Sequence, residues 1–560
     1  MKRGQFAIVL LAALAVGLVV LLGRGEDDGR SKPQTSAPAG ALAVSFVYSP
    51  EKEKLLAPLI ERFNRSGTSV AGKPVFVEGQ VVSSGEAEDK IAKGRLEPVA
   101  WSPASSLWGR LLNFDADRAY VRDQNPAIVR TPLVIAMWEP MATALGYPGK
   151  PVGFADILDL ASSPLGWRRY GHPEFGDFKL VHTNPDFSTS GLSAVVAEYY
   201  AATGKREGLS ESDVAGSRAR RIVRGIEQSI VHYGDTTLFI AEQMKLGGPG
   251  YASAVAMEEV TLLDFNRTRG SRDKLVAIYP QEGTFYSDNP FVVLDAPWVS
   301  ARERAGALLF QRFLAKEVTP SRAAQSGFRP ADRSEPAVAP ITRSNGVDPR
   351  QPVRVLGLPE PRVIDSIRSA WRKDRKPANV MLVLDTSGSM NDERRLENAK
   401  DGLEVFFNEV SPRDRLGLVT FSDLITERVP LGQPFRKTEA ELRRIVQNLT
   451  ADGGTAVYDA TDEGLGTVRR LDDESRINAV VVLTDGEDTD SSLTADEVVE
   501  RVSNQDDSAP EVRVFTIAYS AGAEGAAASL ERIAAGSGGQ AYEGTTGNIE
   551  AVYRSISSFF

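Results

Sequence analysis

The sequence contains no cysteine and only three histidines, His172, His182 and His232, in 560 residues. The first absence excludes disulfides, thiolate zinc sites, cysteine nucleophiles and a lipidated-cysteine anchor. The second leaves little basis for histidine metal clusters or histidine-based triads, because the three lie far apart in the chain. No G-x-x-x-x-G-K-[ST] phosphate loop or catalytic triad is evident. Basic charge is also scarce where it would matter for nucleic acid. From Lys376 to Phe560, 18 Lys+Arg stand against 33 Asp+Glu, a net of −15, whereas the remainder carries 47 against 42, or +5. A domain this acidic does not present a phosphate-binding face, so nucleic acid is not its partner.

What is present is an ordinary globular composition, 42% hydrophobic and 25% charged. The length exceeds what one core supports and predicts two or three domains. Residues 1–5 include Lys2 and Arg3, and an apolar stretch follows over residues 6–23, with Glu26, Asp27 and Asp28 beyond it. At 1.5 Å per residue this stretch nearly crosses a hydrocarbon layer of about 30 Å. Positive residues before it and acidic ones after it predict a single-pass membrane helix, with a cytoplasmic N-terminus and an extracytoplasmic body. The competing reading is a cleaved signal peptide, with small-residue sites near Ala37–Ala41. Residues 24–41 read as a flexible tether.

Residues 42–335 alternate strand, loop and helix. Leu42–Tyr48 reads as a strand, and Ser49-Pro50-Glu51 opens a helix with a cap, a first-turn proline and an acidic first turn. Val75–Val82, Ser83-Ser84-Gly85 and Ala87–Lys93 repeat the pattern, as do Lys179–His182, a loop, and the helix from Ser190 to Tyr200. Such repeats predict an α/β domain with parallel sheets. The segments VSFVYSPEKEKLLAPLIERFN, VVSSGEAEDKIAKG, TPLVIAMW, VHTNPDFSTSGLSAVVAEYY and AQSGFRP resemble bacterial extracellular solute-binding proteins of the two-lobed, periplasmic-binding-protein-like type. The resemblance implies a ligand cleft between lobes, lined by loops at helix N-termini. Its candidate ligand residues here are Ser49, Ser84, Thr189 and Ser190, with Trp101 and Ser102 as an added wall. Several loops resemble those of molybdate and sulfate binders; a neutral solute and a non-binding spacer stay open. Ser49 and Ser190 also read as plain helix caps, and Trp101 as a packing residue.

Residues 336–376, rich in proline and charge, read as an extended linker. Within them Arg362–Lys373 is predicted as an amphipathic helix with Val363, Ile364, Ile367 and Trp371 on one face.

The last domain, 377–560, opens with the continuous apolar run Val380–Leu384, expected of a central parallel strand. Further buried strands are predicted at Leu416–Phe421, Ala479–Leu483 and Val512–Ala518. Helical patterns alternate with them, at Arg395–Val410, Glu439–Leu449, Tyr458–Leu471, Ala495–Ser503 and Ala527–Ala535. This is the pattern of a doubly wound (Rossmann-like) α/β sheet, whose ligands lie beyond the carboxyl ends of its strands. Asp385-Thr386-Ser387-Gly388-Ser389 follows one strand, Gly453-Gly454-Thr455 lies mid-domain, and Asp485 follows another strand. Together these resemble the metal-ion-dependent adhesion site of von Willebrand factor A (VWA) domains. The resemblance implies one divalent metal, Mg²⁺ or Mn²⁺, held by Asp385, Ser387, Ser389, Thr455 and Asp485. In that family the two serines bind directly, and a position stays open for an acidic side chain of a protein partner. Two carboxylates and three hydroxyls suit a hard cation that prefers oxygen ligands and retains water. Gly388 is expected to let the loop curl, and Asp392, Glu487 and Asp488 read as solvated loop acids.

Three functional readings follow. The first is a non-enzymatic, membrane-anchored surface protein with a metal-bridged docking site and a solute-binding module in series. The second is a transport-associated solute receptor. The third is an accessory or assembly factor for a metal- or ATPase-dependent complex.

Overall fold

The alternating run Leu42–Tyr48 forms β1, followed by β2 (Ser69–Val70), β3 (Lys73–Val81) and β4 (Ala100–Ser102). These belong to a computed structural model that describes residues 36–122, 124–163, 165–504, 511–519, 524–545 and 547–560. β3 and β4 pair parallel to β1, and β10 (Val292–Val293) returns antiparallel to β4, giving the order β10-β4-β1-β3-β2. A helix crossover feeds each parallel neighbour, as strand–helix–strand units require. The expected membrane helix and most of the tether lie outside the described residues. Among the described residues no helix is long and apolar enough to cross a membrane.

The second lobe is built on β5 (Thr131–Trp138), buried at all eight positions. β6 (Leu180–His182), β7 (Ala254–Glu258), β8 (Leu275–Ile278) and β9 (Tyr286–Ser287) complete its sheet, in the order β6-β7-β5-β8 with β9 also on β5. Here the expectation of parallel sheets fails. β7, β8 and β9 all run antiparallel to β5, and only the β6–β7 pair is parallel. An unbroken apolar run reports burial on both faces but carries no information on strand direction.

Residues 331–376 are largely exposed up to Val355 but are pinned to the body at intervals. Ile341, Val347 and Leu356, set among the prolines, are buried. The helix Pro361–Asp374 buries Val363, Ile364, Ile367 and Trp371, so the apolar face read from the sequence is its packing face.

The C-terminal sheet comprises β11 (Ala378–Asp385), β12 (Arg415–Phe421), β13 (Ile425–Val429), β14 (Ile477–Thr484), β15 (Val512–Tyr519) and β16 (Ala541–Gly544). Its order is β13-β12-β11-β14-β15-β16, parallel throughout except for the antiparallel edge strand β13. Strand order reverses between β11 and β14, which is where open sheets of this kind leave a crevice at their carboxyl ends. A final helix, Ile549–Ser557, packs on the helix Arg395–Glu409.

Candidate metal centre and inter-lobe cleft

β11 ends at Asp385 and β14 at Thr484, so Asp385 and Asp485 flank the reversal point of the sheet. Asp385 is fully buried. Its Oδ1 accepts the Ser387 N–H at 2.7 Å and its Oδ2 accepts the Thr484 hydroxyl at 2.5 Å. Burial pushes its carboxyl up to about 6, against the two hydrogen-bonding residues Ser387 and Thr484, which favour the ionised form. The Ser387 and Ser389 hydroxyls lie 3.1 Å apart, and Ser389 donates to Asp485 Oδ1 at 2.7 Å. Thr455 comes from a third loop. A Cβ built on Gly486 would stand 3.7 Å from Ser389 Oγ and 3.8 Å from Thr455 Oγ1, so the serine loop and Thr455 both border Gly486. The structure therefore brings all five residues named from the sequence into one place.

Two glycines shape the Thr455 loop. Gly453 has φ +86°, and a Cβ there would meet Asp423 Oδ1 at 2.5 Å; at Gly454 it would meet Asp490 Oδ2 at 1.8 Å. Gly388 plays a different part from the one expected of it. It has no positive φ, and its N–H donates to Gly453 O at 3.0 Å, tying the two loops together.

Sequence reasoning missed four participants. Thr484 holds Asp385. Thr489 Oγ1 and Asp490 Oδ2 accept the Thr455 N–H at 2.9 and 3.0 Å. Arg395 Nη1 donates to Asp485 Oδ2 at 2.7 Å, placing a guanidinium against a proposed ligand. The preceding residues Glu393 and Arg394 have φ of +48° and +58°, a left-handed pair uncommon outside glycine that sets Arg395 at the head of its helix. Asp488 is not simply solvated, since it accepts the Ser491 hydroxyl and the Ser491 N–H. Among the described residues no group of three His, Cys, Asp or Glu converges, so any ion at this centre relies on hydroxyl oxygens.

Between the two N-terminal lobes lies a polar cleft. Ser49 and Ser84 line it from one lobe and Thr189 from the other. Ser84 Oγ accepts the Ala104 N–H at 3.0 Å, and Thr189 Oγ1 accepts Trp108 Nε1 at 2.7 Å. Ser190 turns inward instead, 2.8 Å from Thr183 Oγ1. Trp101 and Ser102 have no exposed surface and do not face the cleft; they sit on β4, whose residues are all buried, so Trp101 packs in the core. Three residues not singled out from the sequence, Asp235, Thr236 and Thr237, line the second lobe at the start of the helix Thr237–Gly247. Their hydroxyl-rich sequence before an apolar run is a cap signal of the kind read at Ser49.

Two lobes around a polar cleft, followed by a doubly wound domain with an oxygen-lined crevice, define a two-module binding protein. The family model for the von Willebrand factor type A domain matches residues 379–554, and that for bacterial extracellular solute-binding proteins matches residues 44–329. The second match covers a little over half of the chain, which belongs to the bacterial extracellular solute-binding protein family and carries a VWA domain behind it. Among similar proteins, uncharacterized protein Rv1836c of Mycobacterium tuberculosis is 25% identical over 577 aligned positions, covering 96% of this chain and 80% of that one. The human inter-alpha-trypsin inhibitor heavy chain H4 is 31% identical over 122 positions, 20% of this chain and 13% of that one. Among solved structures, a periplasmic thiamin binding protein is matched at 10% identity and TM-score 0.44, covering 60% of this chain and 98% of that one. A von Willebrand factor type A protein from Catenulispora acidiphila is matched at 19% identity and TM-score 0.28, covering 32% of this chain and 42% of that one.

Proposed function

We propose that this is a non-enzymatic, extracytoplasmic binding protein, tethered by its N-terminal apolar segment, whose VWA domain holds one divalent cation and docks a protein partner through it. Asp385, Ser387, Ser389, Thr455 and Asp485 would hold the ion. The observation that carries this reading is the convergence of their oxygens from three separate loops at the reversal point of the sheet. The donor set fits: one carboxylate is anchored within its loop, a second is bonded to a serine hydroxyl, and the remaining oxygens are short hydroxyls, as a water-retaining hard cation such as Mg²⁺ or Mn²⁺ requires. When bound, the ion supplies a Lewis-acidic position that an acidic partner side chain can fill. Asp385 and Thr484 orient the serine loop, and Asp490 and Thr489 fix the Thr455 loop. The solute-binding domain stands in series and takes a small solute in its cleft.

Isothermal titration of the chelator-treated protein with Mg²⁺ tests the metal reading. One site is expected in the native protein and none in Asp385→Ala, with far-UV circular dichroism unchanged. Unaltered Mg²⁺ affinity in the variant would remove the assignment.

A further inference from the structure

The two N-terminal lobes meet directly beside the cleft. The Gly85 N–H donates to Phe187 O at 2.9 Å and Trp108 Nε1 to Thr189 Oγ1 at 2.7 Å, each bond crossing from the first lobe to the second. A Cβ on Gly85 would stand 2.3 Å from Asp186 O, so only glycine permits this approach. The helix Pro361–Asp374 spans both lobes. Its Trp371 Nε1 and Asp374 fasten it to the second lobe, at 3.0 Å to Glu227 Oε2 and 2.7 Å to Arg220 Nε. Toward the first lobe, Glu360 pairs with Arg110 at 3.0 Å. Between these ends Arg368 lies 2.8 Å from Asp186 Oδ1 of the second lobe and 3.8 Å from Asp115 Oδ2 of the first. Arg372 takes both oxygens of Asp186, at 2.7 and 2.8 Å.

Glu88 completes the group from the first-lobe helix Ser84–Ala92. It is 2% exposed, and among the described residues no N–H or hydroxyl reaches its Oε1. Its carboxyl and that of Asp115 lie within reach of one shared proton. Burial pushes Glu88 up to about 8, with Asp115 and Asp89 adding to the rise and Arg368 opposing it. Burial raises Asp115 as well, with Arg368 opposing and Asp365 adding. Burial opposes the charge of Asp186, yet Arg368 and Arg372 hold its carboxyl below the usual range. Of the charges beside them, Lys90 is engaged with Glu86 at 2.6 Å, and Asp89 with Lys93, Arg95 and, from the final helix, Arg554. Three carboxyls thus share two guanidiniums. A third negative charge has no cation to answer it, and a buried unpaired charge is neutralised or moves to water.

We propose that these residues form a proton-dependent latch: with a proton shared by Glu88 and Asp115 the linker helix holds the two lobes together, and with both carboxyls ionised the lobes part. Once they part, Glu88 meets water and returns toward about 4.3. The hold is therefore complete below that value and is lost as pH rises through about 8.

The absence of cysteine lets two labels be placed specifically. Spin labels on Glu61→Cys in the first lobe and Glu242→Cys in the second, both exposed, report lobe separation by double electron–electron resonance in the detergent-solubilised full chain. A single short distance is expected at pH 5.5, and at pH 9 a longer population about tenfold more abundant than at pH 5.5. Glu88→Gln should cut that population at pH 9 several-fold. Asp115→Asn, which also removes one of the three charges, should do the same and covers the case in which the Glu88 variant does not fold. Identical distance distributions at both pH values would overturn the latch. Opening at pH 9 that survives both variants would overturn it too, placing the titrating group elsewhere, as at Glu258 of the cleft, itself pushed up to about 8 by burial and by Glu51.

Discussion

Asp385 uses both carboxylate oxygens within its own neighbourhood, on Ser387 N–H and Thr484 hydroxyl, whereas Asp485 shares its oxygens between Ser389 and Arg395. The two acids flank one crevice but are arranged for different work: Asp385 shapes the serine loop, and Asp485 is paired with the Arg395 guanidinium. A cation arriving at Asp485 competes with the Arg395 guanidinium, whose repulsion at a few ångströms is worth on the order of 1–4 kcal/mol depending on local screening. Arg395→Gln is therefore expected to raise Mg²⁺ affinity several-fold, read by titration; lowered affinity would show that Arg395 supports the site instead. The five proposed ligands were legible in the sequence because each follows a strand or a glycine turn at recognisable spacing. Arg395, Thr484, Thr489 and Asp490 were not, since their roles arise from hydrogen bonds between loops that sequence order does not pair. Glu258 gives a second prediction at this scale. With its carboxyl raised to about 8 in the folded protein and near 4.3 when unfolded, its stabilising contribution is fully present below the unfolded value and is lost as pH rises through about 8. Glu258→Gln should raise the melting temperature more at pH 8 than at pH 5. An equal shift at both values would contradict the burial argument.

At the scale of elements, the long apolar strands β11 and β14 declared themselves, because each buries eight positions in a row. The edges did not. β13 buries only one of its five residues and β16 has four residues, so neither shows a periodicity. The antiparallel pairing in the second lobe was equally hidden, since apolar pattern fixes burial and not direction. The linker helix Pro361–Asp374 was read correctly as amphipathic, but its burial depends on a partner far away in sequence. Trp371 Nε1 donates to Glu227 Oε2 at 3.0 Å, beside Tyr233 OH at 2.6 Å, while His182 Nε2 lies 3.1 Å from Glu227 Oε1. Trp371→Ala removes the packing and one of these bonds, with an expected loss of about 3–5 kcal/mol in a urea titration. A loss under about 1 kcal/mol would mean that the helix does not hold this core.

Across the whole molecule the two modules are joined by buried contacts as well as by the chain. Phe559 packs on Phe239 and His232 of the second lobe, at ring separations of 5.2 and 6.3 Å, and its carbonyl accepts the Tyr233 N–H at 3.3 Å. Asn184 Nδ2 donates to Ser558 O at 3.2 Å, and Arg554 lies 3.5 Å from Asp89 on the other lobe. The same final helix thus touches both lobes, with Ser555 bonded to the cleft residue Asp235. None of this was legible beforehand, because a proline-rich connector reads as a spacer when the surfaces it joins are unknown. Phe559→Ala should cost about 3–5 kcal/mol and divide a single calorimetric transition into two, one per module. Two transitions already present in the native protein would contradict a shared core.

The central claim is a single cation held by oxygens from three loops of the VWA domain, and anomalous diffraction from crystals grown with Mn²⁺ addresses it most directly. The predicted result is one strong peak within coordination distance of Ser387, Ser389 or Thr455 oxygens, beside Asp385 and Asp485, with Arg395 displaced from Asp485. Crystals showing no peak there, and Arg395 still paired with Asp485 at saturating Mn²⁺, would contradict it.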